Sequence, residues 1–80
     1  MEKRLTMISI AVKNRDKTYN VVNELLHKFA DNILLRVGYP RQDKNLSIIF
    51  LVFEGTSDEL GSLNGKLGQI PGLKVKSHTI

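Results

Sequence analysis

Leu46-Ser47-Ile48-Ile49-Phe50-Leu51-Val52-Phe53-Glu54 reads as a β-strand with apolar side chains on both of its faces. Side chains alternate along a strand, so Ile48, Phe50 and Val52 share one side and Ile49, Leu51 and Phe53 the other. Such a strand belongs in the middle of a sheet that is covered on both faces. Gly55 breaks it, and Thr56 with Glu59 has the spacing of a capping box, which opens a helix. Leu60, Leu63, Leu67 and Ile70 then recur on one helical face. Pro71-Gly72 turns the chain, and Leu73 to Ile80 forms a last strand with Lys74, Lys76 and His78 on one side.

Toward the N-terminus, residues 5–13 alternate, with Ile8, Ile10 and Val12 on one face and Leu5, Met7, Ser9 and Ala11 on the other. Asn14 is a natural N-cap for the segment that follows. There Tyr19, Val22, Leu25, Leu26 and Phe29 line one side of a helix over roughly 15–30, with Asp31-Asn32 as its exit. Ile33 to Tyr39 is a short strand ended by Pro40, and residues 41–45 are a polar connector.

The order is strand, helix, strand, twice over. Its economical solution is an α+β fold of the ferredoxin-like βαββαβ kind, a single domain over residues 1–80. The sheet has four antiparallel strands in the order 4-1-3-2, with both helices on one face. The order requires strands one and three to be central. Strand three's two apolar faces and the lysines of strand four agree with that requirement.

Two helices cover only one face. The other is expected to carry Leu5 and Met7 together with Ile49, Leu51 and Phe53. Leaving such side chains in water is costly, at roughly 1.5–3 kcal/mol each. A second copy of the chain is therefore expected over that face, giving a homodimer or homotetramer. Chain length points the same way: 80 residues bury little, and with no cysteine there are no disulfides or thiolate metal sites to compensate. Gly61, Gly65 and Gly68 leave a bare strip on the second helix, and Gly61 and Gly65 are candidate contacts for a neighbouring subunit.

Composition narrows the function. Net charge is +4, with twelve basic residues scattered against eight acidic ones, which describes a solvated surface rather than a nucleic-acid stripe. RNA recognition through aromatic residues on strand three is disfavoured, because Phe50 and Phe53 are three apart and point to opposite faces. No apolar run is long enough for a membrane span and no signal sequence is evident, so a cytoplasmic protein is expected. His27 sits on the polar side of its helix and His78 on the lysine side of its strand, without further ligands nearby. No metal, cofactor or catalytic residue is expected. Arg36 and Tyr39, in Arg36-Val37-Gly38-Tyr39-Pro40-Arg41, are candidates for an anionic or planar ligand, joined by Asn14 and Arg15 of the first strand–helix loop. Two rival readings are an enzyme of the dimeric α+β barrel kind, with a pocket between sheets, and a nucleic-acid-binding module.

Three segments carry a resemblance: Leu34-Leu35-Arg36-Val37-Gly38-Tyr39-Pro40, Ser47-Ile48-Ile49-Phe50-Leu51-Val52, and Gly65-Lys66-Leu67-Gly68-Gln69-Ile70 with Gly72 after it. With Val22-Asn23-Glu24-Leu25-Leu26-His27 they resemble the small regulators of iron-only hydrogenase systems over nearly the whole chain. The resemblance implies a regulatory domain similar to ACT domains and to the C-terminal domain of nickel-responsive repressors. It implies no nickel site here, since the cysteine and the histidine cluster are missing. No segment is left for a DNA-reading motif, so transcriptional control would run through a partner protein rather than direct DNA binding.

Overall fold

The structure, a computed structural model, describes residues 2–13 and 15–80, with the backbone alone for Arg15 and Asp16. Asn14, expected as a helix cap and a binding residue, lies outside the described residues. The elements are β1 (Arg4–Lys13), α1 (Arg15–Lys28), β2 (Ile33–Arg41), β3 (Leu46–Gly55), α2 (Ser57–Gly68) and β4 (Leu73–Thr79), with short 3-10 turns at Ala30–Asn32 and Gln42–Lys44. The sheet order β2-β3-β1-β4 is the expected 4-1-3-2 read from the other edge, and all pairings are antiparallel.

Ile8, Ile10 and Val12 of β1 meet Val22, Leu25 and Leu26 of α1 and Leu63 and Leu67 of α2 in one continuous core. Both helices therefore lie on the same face. The capping box forms as read: Glu59 N–H donates to Thr56 Oγ1 (3.2 Å), and Thr56 N–H donates to Glu59 Oε1 (2.8 Å). Helix α1 stops at Lys28, and its expected last turn tightens into the 3-10 turn, where Asn32 N–H reaches the Phe29 carbonyl at 2.9 Å. Strand β2 does not end at Pro40, because Pro40 still pairs with Ser47 and Arg41 with Leu46. Between Ile33 and Leu35 a bulge takes Leu34 out of register.

The expected open face of β3 is corrected. Ile49, Leu51 and Phe53 lie under the helices and are almost completely buried, so they are core residues and not a contact for a second copy. Register decides this: Ile49 pairs with Ile10, Leu51 with Ile8 and Phe53 with Thr6, all on the helix side of β1. Met7 pairs with Val52, Ser9 with Phe50 and Ala11 with Ile48, so the open face runs through the other set.

Gly55 is more than a strand breaker. A Cβ there would lie 2.8 Å from the Phe53 ring, 3.0 Å from Glu59 Oε1 and 3.1 Å from Asn32 Nδ2. Asn32 ties this corner together by donating to the Glu54 carbonyl (3.1 Å) and to Glu59 Oε2 (3.3 Å). Gly72 adopts φ 84°, which side chains resist, and its carbonyl accepts from Lys13 N–H at 3.0 Å.

Candidate functional site

The sheet presents a broad apolar surface on the side away from the helices. Leu35, Val37 and Tyr39 of β2 pair with Val52, Phe50 and Ile48 of β3, which in turn pair with Met7, Ser9 and Ala11 of β1. His78, Lys76 and Lys74 of β4 complete the three rows. Phe50 is 50 % exposed, Met7 46 % and Leu35 54 %. A shallow groove of about 400 Å³ runs across the middle of this face, between Phe50 and Met7 on one side and Lys76 and His78 on the other. Ser9 lines it as well, and no Asp or Glu is among its described lining residues.

Leu5 and Met7, expected on this surface, are exposed on it. The strand-three residues that accompany them are Ile48, Phe50 and Val52. Gly61 and Gly65 lie on the exposed side of α2, where an added Cβ would meet nothing within 4 Å.

Arg36 and Tyr39 are not brought together. They are three residues apart in an extended strand, so they leave it on opposite faces. Arg36 pairs with Leu51 on the helix side and donates through Nη2 to Asn23 Oδ1 of α1. There it borders a second groove, of about 730 Å³, shared with Glu24, His27 and Lys28 of α1. Tyr39 pairs with Ile48 on the open face. It shares a hydrogen bond with Arg41, whose guanidinium is raised above its ordinary value chiefly by Asp43 and then by Tyr39. Arg41 grips Asp43 through Nε (3.2 Å) and Nη2 (3.1 Å), and that bond holds the Asp43 carboxyl below its ordinary value. Arg15 begins α1, on the far side of the Asn14 position from β1.

The Glu59 carboxyl is lowered first by the Thr56 backbone N–H and then by the Asn32 side chain. Sequence reading missed Asn32 and treated it as a helix exit; its only signal was an Asn directly ahead of a strand. No group of three or more His, Asp or Glu that could hold a metal ion occurs among the described residues. No helix among them is long and apolar enough to cross a membrane.

Residues 4–77 match the model of the TM1266-like family, described as "Iron-only hydrogenase system regulator, putative". The solved structure of the uncharacterized protein TM1266 from Thermotoga maritima is similar at 52 % sequence identity, with a TM-score of 0.93 over 99 % of each chain. No curated protein matches the chain.

Proposed function

The chain belongs to the TM1266-like family of iron-only hydrogenase system regulators, and from that premise we propose that it regulates by binding and assembly rather than by catalysis. In this reading it is a homo-oligomer whose subunits associate through the open sheet face, and a small ligand or a protein partner reports to it. The observation that carries the reading is that face itself, where Leu5, Met7, Leu35, Val37, Tyr39 and Phe50 stand exposed together on one side of the sheet.

Two quantities support self-association. The chain exposes 5352 Å², against about 4,900 Å² for a monomer of its 9.0 kDa by the usual scaling. Four strands at about 4.8 Å spacing and seven to ten residues at about 3.3 Å make a face of roughly 450–600 Å² in projection. Two such faces in contact bury about 1,000 Å², the size at which specific interfaces begin.

The signal is assigned to the groove between α1 and β2, where Arg36 is held by Asn23 beside His27 and Lys28. A guanidinium there suits an anionic group. Native mass spectrometry of the purified protein tests both halves of the reading. An oligomer with additional bound mass that Arg36→Ala removes is the expected result. A bare single-chain species counts against assembly, and retained mass that survives Arg36→Ala counts against the groove.

A further inference from the structure

How two copies meet, given the self-association proposed above, is set by the relief of the open face. The strand register lines the open face into rows. One row runs Val37, Phe50, Ser9, Lys76 from β2 to β4, and the next runs Tyr39, Ile48, Ala11, Lys74. Both of these rows have their bulk on β2 and β3, a small residue on β1 and a lysine on β4, whereas the third row, Leu35, Val52, Met7, His78, carries Met7 on β1 and a histidine on β4. Across these two rows the face is lopsided, with a ridge on β2 and β3 and a depression over Ser9 and Ala11 of β1. The groove of about 400 Å³, lined by Ser9, Lys76 and His78 and also by Leu35, Phe50 and Met7, takes in the part of that depression at Ser9.

When two sheets stack with their strands aligned, a two-fold axis between them runs along the strands or across them. An axis across the strands sets β4 over β4, which brings the lysines of one copy against the partner's Lys74 and Lys76. It also sets ridge on ridge and depression on depression. An axis along the strands, midway between β1 and β3, turns each row back upon itself. Phe50 then enters the depression at the partner's Ser9, Ile48 faces the partner's Ala11, and Lys74 reaches the face of the partner's Tyr39 ring, a cation–π arrangement. Aligned sheets cross at about 30°, which splays the corners but keeps these central pairs in contact.

The geometry points to the second arrangement: a dimer of this chain in which β4 lies over β2 of the partner and Phe50 fills the depression at the partner's Ser9. Complementary shape and the avoidance of like charge select it together.

The absence of cysteine makes the test clean. Facing sheets lie about 10 Å apart, too far for a direct disulfide, so a short bis-maleimide is the probe. Within one chain, positions 37 and 76 lie about 14 Å apart across three strand spacings, beyond that reagent's reach. Untreated protein is first shown to be a dimer by sedimentation equilibrium; a monomer at that step overturns the self-association reading, and the alignment with it. The double variant Val37→Cys with Lys76→Cys should then cross-link between chains, with a 37-to-76 peptide identified by mass spectrometry, while Lys76→Cys alone should not. Efficient cross-linking of Lys76→Cys to itself, or a dimeric double variant that fails to cross-link, overturns the alignment and leaves self-association standing. As a second measurement, Ser9→Phe should weaken dimerisation at least tenfold with an unchanged far-UV spectrum, and Phe50→Ala added to it should restore association. Failure of that size swap to restore association also overturns the alignment.

Discussion

The two faces of β3 carry nearly the same chemistry and meet opposite fates. Ile49, Leu51 and Phe53 are sealed beneath two helices, while Phe50, between them in sequence, is half exposed on the other side. The Phe53 ring lies 6.5 Å from the Phe29 ring, and Lys66 Nζ caps Phe29 from 5.6 Å. Phe50 has Ser9 and Val37 as its cross-strand neighbours. Residue type does not separate the two faces; pairing parity does.

The largest test of this contrast is Phe53→Ala against Phe50→Ala. The buried truncation should cost about 3–5 kcal/mol, enough to unfold much of a chain this small. The open-face truncation should leave the isolated chain near its original stability, as read by urea denaturation at a concentration that keeps it monomeric. Equal losses would mean the two faces are not distinct. Next, Gly55→Ala should cost about 1–3 kcal/mol, because the added methyl meets the buried Phe53 ring and the Asn32–Glu59 bridge. A neutral result there would show that the corner relaxes.

Thr56→Ala should cost about 1 kcal/mol through loss of the helix cap, measured by thermal unfolding. Gly61→Ala and Gly65→Ala, where a methyl meets open space, should each stabilise the chain by about 0.5–1 kcal/mol. If either weakens association instead, the outer side of α2 is a subunit contact after all. The smallest effect is a pH dependence. The Glu59 carboxyl is lowered in the folded state, so its contribution is complete above its ordinary value of 4.5 and is lost as pH falls through the lowered one. Acid stability curves of the native chain and Glu59→Gln should therefore converge below that range and separate above it.

The fold was legible because each element announces itself locally: alternation in β1 and β3, the capping box ahead of α2, and one apolar stripe per helix. The assignment of faces was not, for a reason visible in β3. Strands β1 and β3 are not joined by a turn, so nothing local sets whether Ser9 or Ile10 stands opposite Ile49. A slip of one residue exchanges the two faces entirely. The β2 residues had the same difficulty. Arg36 and Tyr39 look adjacent in Arg36-Val37-Gly38-Tyr39, yet an extended backbone sends them to opposite sides. The Asn32–Gly55–Glu59 corner joins three segments and left only single, ordinary residues in the sequence.

The edges of the sheet have a consequence for how far assembly can go. Strand β2 carries a bulge at Leu34 and a proline at position 40, which cannot donate to a neighbouring strand. Strand β4 lines its open side with lysines. Both are devices that refuse a further strand. An exposed apolar face framed by two such edges limits growth along the sheet. If two copies pair through the open face as proposed, the pair offers no strand edge suited to adding a third along the sheet.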